Sequence, residues 1–146
     1  MGVCDTSPAP TGLAFLIVDN VVADPCDPDG RLLQPPVGPS VDDLVTAISG
    51  LTNFAATTPT DVVVDGYRGK QFTVTAPWNA GCELKTWATA ERTNGVGAGE
   101  VNLIQILDVN ATRLVITGAY HPENPASAEN LAALNAMLSS VRISSP

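Results

Sequence analysis

The sequence predicts an α+β fold: an antiparallel β-sheet of six to seven strands flanked by two helices, forming an α/β sandwich. Three observations lead there. Between residues 54 and 119, segments with an apolar period of two follow one another through short turns, and strands joined in that way run antiparallel. Two other segments carry the helical period together with helix-start signals, and amphipathic helices need a sheet face to cover. The 146 residues fall within the length of one domain, without an internal repeat or a second core. Residues 1–146 are therefore read as a single domain, with residues 1–11 expected to be flexible or truncated.

Residues 13–22 are rich in β-branched and aromatic side chains and run into Ala23-Asp24-Pro25-Cys26-Asp27-Pro28-Asp29-Gly30, a cluster of turn formers. A strand followed by a loop is expected. The prolines of Gln34-Pro35-Pro36-Val37-Gly38-Pro39 resist both helix and ladder, so the connection stays irregular and partly extended. Ser40 then stands as an N-cap, Asp42 and Asp43 occupy the first turn and Gly50 follows the end, which predicts a helix over 41–49. Its apolar residues Val41, Leu44, Val45 and Ile48 form one stripe.

Strands are predicted over 54–58, 61–64, 70–76 and 83–90, with Asp65-Gly66-Tyr67-Arg68-Gly69 as a hairpin connection. Residues 94–99, with Gly95, Gly97 and Gly99, read as a mobile loop. A second antiparallel pair, 101–109 and 113–119, turns at Asn110-Ala111. After a loop over 121–125, Ser127 is expected to cap a helix from 128 to about 140 that packs through Leu131, Leu134, Leu138 and Val141. Arg142-Ile143 reads as a closing edge strand.

Composition narrows the function classes. At 45% hydrophobic and 15% charged residues, the chain is too apolar for a disordered polypeptide and should fold. A net charge of −8 repels phosphate backbones and anionic headgroups, which argues against nucleic acid as a partner. The longest apolar run, residues 13–18, is too short for a transmembrane helix, which needs about 20 residues. Met1-Gly2-Val3-Cys4 carries neither a basic nor an apolar leader region and does not read as an intact signal peptide. Lipidation of Cys4 is disfavoured by the bulky Val3. Few lysines, Lys70 and Lys85, and many Asp, Thr and Pro residues fit an acidic extracytoplasmic surface.

Three cysteines without CxxC spacing, accompanied by one histidine, argue against structural zinc. A disulfide between Cys26 and Cys82 is the better reading in an oxidising compartment, with reduced, buried cysteines as the alternative. Cys4 would then be free or intermolecular.

The stretches Val18-Asp19-Asn20-Val21-Val22-Ala23-Asp24-Pro25-Cys26, Val37-Gly38-Pro39-Ser40-Val41-Asp42-Asp43-Leu44-Val45 and Asp61-Val62-Val63-Val64-Asp65-Gly66-Tyr67-Arg68-Gly69-Lys70 resemble an uncharacterised bacterial family of secreted or lipid-anchored domains. Ile106-Leu107-Asp108-Val109-Asn110-Ala111-Thr112-Arg113-Leu114-Val115-Ile116 and Leu138-Ser139-Ser140-Val141-Arg142-Ile143 are similar too. The resemblance runs over most of the chain after about residue 12 and departs from the family pattern at the start, where an opening strand is short or missing. It implies an extracytoplasmic home and cysteines at the positions of Cys26 and Cys82, but no activity. At fold level the chain is also similar to the PsbP-like proteins, which implies a binding or accessory role.

No motif for catalysis or a cofactor emerges. A Ser/His/Asp hydrolase would have to use His121, the only histidine, and no G-x-S-x-G is present. Glu83, Glu91, Glu100 and Asp108 offer carboxylates for a glycosidase-like pair. Asp24 to Gly30 fails the EF-hand pattern, since the sixth and twelfth positions from Asp24 are Asp29 and Pro35, and no metal site is expected. The glycines of 95–99 lack the Lys-Ser/Thr of a phosphate loop.

Strand alternation sets Gln71, Thr73 and Thr75 on one face of their strand and Lys85 and Trp87 on one face of the next. Pairing of these two strands would leave Trp87 on a polar surface suited to a protein, peptide or saccharide, the alternative being that a helix covers Trp87 on that face. Trp78 is expected either to join such a surface or to plug the end of the core. The leading expectation is a non-catalytic extracytoplasmic binding or accessory domain using Trp87, Lys85, Thr73, Thr75 and Gln71, without a cofactor. A small secreted hydrolase using carboxylates and His121, and a structural module that dimerises through a sheet edge or Cys4, are the alternatives.

Overall fold

In the computed structural model, residues 12–144 are described. In chain order the elements are β1 (Ala14–Leu16), β2 (Asn20–Val21), α1 (Val41–Ser49), β3 (Ala55–Ala56), β4 (Thr60–Val64), β5 (Tyr67–Thr75), β6 (Leu84–Ala88), β7 (Thr93–Val96), β8 (Val101–Val109), β9 (Thr112–Tyr120) and α2 (Ser127–Ser139). The fold is α+β, as expected. Its strands are divided between two antiparallel sheets rather than gathered in one. The larger runs β1-β9-β8-β5-β3, with β4 also on β5, and the smaller runs β2-β6-β7.

The two tightest hairpins are set locally. Asn110 and Ala111 both have positive φ, 53° and 69°, as do Asp65 and Gly66, 49° and 86°. A two-residue turn with φ positive at both positions matches the right-handed twist of the strands it joins. These turns place Val109 opposite Thr112 and Val64 opposite Tyr67, so residues 67–69 belong to β5 instead of to the connection.

Alternation along β5, β8 and β9 separates two faces. Phe72, Val74, Ile104, Ile106 and Val115 point to one face, where they pack with Leu44, Val45 and Ile48 of α1 and with Val21 and Trp87 of the small sheet. Leu107 and Ile116 point to the other, where they meet Val141 and the flank of Leu138. α1 begins as its sequence predicts: the Ser40 hydroxyl accepts from the Asp43 N–H, and the Asp43 carboxylate accepts from the Ser40 N–H.

Five sequence expectations change. The strand over 13–22 divides into β1, on β9, and β2, on β6; between them Asp19 N donates to Ala88 O and the Arg113 guanidinium donates to Val18 O, which carries the chain from one sheet to the other. The strand over 83–90 does not pair with β5 but lies between β2 and β7. Residues 93–96, expected to be part of a mobile loop, form β7, because Leu84 pairs with Val96 and the Asn94 amide donates to Thr86 Oγ1. Ser127 does not cap α2; Ala126 is the N-cap, and Asn124 acts one turn earlier by accepting from the Ala126 N–H. Residues 142–143 form no strand, and Ile143 N instead donates to the Asp65 carboxylate. The expectations for residues 1–11, Cys4 included, lie outside the described residues.

Cys26 and Cys82 are joined as a disulfide with a Cα–Cα distance of 5.5 Å. The bond ties the loop after β2 to the start of β6, beside Ala76, Leu84 and Val96. Its partners are 56 residues apart, a long loop for the unfolded chain to lose. Replacing both cysteines by alanine should lower the unfolding free energy by about 2–4 kcal/mol, read from urea denaturation.

The Ser40 N–H bond holds the Asp43 carboxyl below its ordinary value of 3.8. A depressed folded-state pKa contributes stability that is present above the unfolded value and is lost as pH falls through the folded one. Asp43→Ala should therefore lower the urea midpoint at pH 7, and the difference from wild type should shrink once pH drops below the ordinary carboxylate range.

Candidate functional site

α2 covers only part of its sheet face. Gly118 on β9 makes this possible, since a Cβ there would lie 2.6 Å from Leu134 Cδ2, and Leu134 is fully buried. The helix therefore seats over β9 and leaves the β5 half of the face open. On that half the register sets Gln71 opposite Gln105 and Thr73 opposite Leu103, with Thr75 opposite Val101 nearer the end of the strand. The predicted sharing of one face by Gln71, Thr73 and Thr75 follows from alternation.

Two adjoining hollows, about 300 and 310 Å³, run along the open strip and share Gln71, Gln105, Asn135 and Leu138. Together they make a groove between α2 and the segment carrying Thr57, Thr58 and Thr60. Amides and hydroxyls dominate its polar lining. Asp65 and Arg142 stand at one end only, and the stretch beside Thr57 and Thr73 has no charged residue in its wall.

The floor holds a buried amide. Gln105 is 6% exposed and donates from Nε2 to Gln71 Oε1 at 3.3 Å, while its own Oε1 has no partner among the described residues. Turning the amide over would exchange the atoms without removing the deficit, because Gln71 engages one end of it and the other stays unpaired. A buried polar group left in that condition costs about 1–3 kcal/mol. Beside it, Thr57 Oγ1 accepts from the Thr73 N–H at 2.9 Å and lies 3.3 Å from Thr73 Oγ1, which prolongs the β3–β5 ladder through a side chain.

Trp87 and Lys85 do not join Gln71 and Thr73. Trp87 is 2% exposed within the main core, because β6 lies in the other sheet, so the polar tryptophan surface expected from β5–β6 pairing is not formed. Lys85 is half-buried with its stem against Gly30. Trp78 is 58% exposed and lies over Gly99, so it does not plug the core.

His121 Nε2 comes within 3.7 Å of Glu100 Oε1, whose carboxylate also accepts from the Gly97 N–H and the Asn102 amide. Asp108 lies eight positions from Glu100 along β8, roughly 26 Å, whereas paired glycosidase carboxylates stand about 5–10 Å apart. In the loop over 24–30 the carboxylates serve the loop itself: Asp24 and Asp27 accept from the N–H groups of Cys26 and Asp29, and Arg31 pairs with Asp27 and Asp29. The Asp29 N–H bond, aided by Arg31, holds the Asp27 carboxyl below its usual range. No cluster of three or more His, Cys, Asp or Glu side chains able to hold a metal ion occurs among the described residues.

Sequence reasoning missed Gln105 and Asn135. The signal for Gln105 was present, as a lone amide within the apolar run of β8. Asn135 had no such mark on an already polar helix flank.

Comparisons with family models, with curated proteins and with solved structures find no match. Gln105→Met, which keeps the volume and removes the unpaired amide, should raise the unfolding free energy of the unliganded protein by about 1 kcal/mol in thermal or urea denaturation.

Proposed function

We propose that this chain is a non-catalytic binding domain of an extracytoplasmic protein, and that its groove takes an uncharged, extended peptide segment of a partner. The observation that carries this reading is the buried Gln105 amide, retained at a cost in stability on the floor of an open groove. Gln105 Oε1 is closed to solvent in the unliganded protein, and the exposed Gln71 bonded to that amide must move for a ligand to reach it; the two amides would then present an acceptor and donors that complement the N–H and C=O of one peptide group. Leu103 and Leu138 offer apolar contact for side chains, and the absence of charge from the middle of the groove favours a neutral segment. A pyranose would gain most from an exposed aromatic platform. Phe72, the one aromatic residue bordering the groove, is 4% exposed and turns its ring to the opposite face of the sheet, which favours peptide over saccharide.

The Cys26–Cys82 disulfide supports an oxidising compartment. No helix among the described residues is long and apolar enough to cross a membrane. Secretion or lipid anchoring at a bacterial envelope, and kinship with the PsbP-like accessory proteins, belong to the same proposal and rest on the sequence resemblance.

The test is amide chemical-shift mapping with capped peptides of about six residues bearing only uncharged side chains, beside neutral oligosaccharides. Peptide-induced shifts at Gln71, Thr73, Gln105 and Leu138, abolished by Gln105→Met and by backbone N-methylation of the peptide, are expected. Shifts with oligosaccharides alone would replace the peptide with a saccharide; no perturbation of these residues by either class would sink the groove as a binding site.

A further inference from the structure

A second hollow lies on another part of the molecule, between residues 15–17, where the chain leaves β1, and the turn joining β6 to β7. It encloses about 370 Å³, and its walls include Phe15, Ile17, Trp87, Thr89, Arg92 and Asn94. That volume is at the small end of organic-ligand sites.

Three features of the wall act together. Phe15 and Ile17 are each 52% exposed, so the protein leaves two large apolar side chains in water at the same opening. Trp87, by contrast, is 98% buried by its 2% exposure, and its Nε1–H has no acceptor among the described residues. An indole N–H removed from water normally finds one. Arg92 brings a guanidinium with no ion-pair or hydrogen-bond partner among the described residues, in a chain with only seven basic residues. Thr89 and Asn94 have work of their own, whereas the exposed Glu91 adds a carboxylate to the same wall. The Thr89 hydroxyl accepts from the N–H groups of Glu91 and Arg92, which shapes the turn, and the Asn94 amide donates to Thr86. The hollow thus combines apolar walls, one unused donor on a rigid ring and one unused cation, with the Glu91 carboxylate at its edge.

We propose that this hollow binds a small organic acid with a compact aromatic or branched body, its carboxylate accepting from Arg92 and from the Trp87 Nε1–H. A guanidinium and an N–H are both donors, so the complementary head group is an acceptor, and the positive charge selects an anionic one. Glu91, on the same wall, repels further negative charge, so a monoanion is favoured over a dianion. The apolar body covers Phe15 and Ile17. The site is separate from the groove along α2 and shares no residue with it.

The experiment uses the Trp78→Phe variant, in which Trp87 is the only indole, with phenylacetate and 3-phenylpropionate as probes and methyl phenylacetate as the uncharged control. The acids should change Trp87 emission saturably and bind more tightly than the ester. Arg92→Gln should remove the preference for the acid while leaving ester binding unchanged; Arg92 is exposed, so this variant does not depend on core repacking. Trp87→Phe, followed by calorimetry and checked for folding by circular dichroism, should weaken acid binding about tenfold. No saturable response to either acid, equal affinity for acid and ester, or an acid preference that survives Arg92→Gln would each overturn the proposal.

Discussion

Leu134 reaches the backbone of Gly118, and the position of α2 over its sheet follows from that contact. A helix seated over the middle of the face would have buried Gln71 and Thr73 together with the backbone between them. Seated over β9, it completes the apolar cluster around Leu107, Ile116 and Val141 and leaves the β5 half of the face open. A side chain at position 118 would push the helix away and open that cluster to water. The groove is thus the margin of a helix held to one side by a single missing Cβ.

The opposite face is closed by a different device. α1 and the small sheet share it, and the chain must pass between the sheets to allow this. Arg113 secures the crossing, donating to the carbonyl oxygens of Val18, Gly38 and Ser40, which lie on two segments distant in sequence. Burial lowers the pKa of this guanidinium, partly opposed by Asp43 and Asp19, and its carbonyl partners satisfy donors that would otherwise be stranded. Gly38 has to be a glycine here, because a Cβ would fall against the Asp43 carboxylate that caps α1.

Against this background of satisfied backbone, the unpartnered polar atoms stand out. Four buried side chains carry one among the described residues: Ser49, Trp87, Gln105 and Thr117. Two of the four, Gln105 and Trp87, also line hollows at the surface. A core selected for stability alone would replace such groups with apolar ones of similar volume at little loss. Their retention beside open space is what the two binding proposals share, although the groove is lined by neutral amides and hydroxyls and the second hollow by apolar side chains and a cation.

Elements governed by local interactions were legible in the sequence. Ser40, Asp43 and Gly50 delimit the nine residues of α1, Asn110-Ala111 sets its hairpin, and alternation along β5 assigned Gln71, Thr73 and Thr75 to one face; the turn at Asp65-Gly66 was legible in place, although its connection is three residues shorter than the sequence suggested. Which strand lies beside which was not legible, because a period of two assigns faces and says nothing about partners. Trp87 shows the consequence. Alternation placed it on a wet face opposite Leu84, but β6 sits in the middle of a small sheet wedged against a larger one, and Leu84, Thr86, Trp87 and Ala88 are all buried. Alternation reports exposure only where one face of a sheet meets water. The sequence by itself determined the fold class, the helices, the turns and the polar face of β5; the tertiary structure decided the division into two sheets, the offset of α2 and the burial of Trp87, since each depends on contacts between residues far apart in the chain.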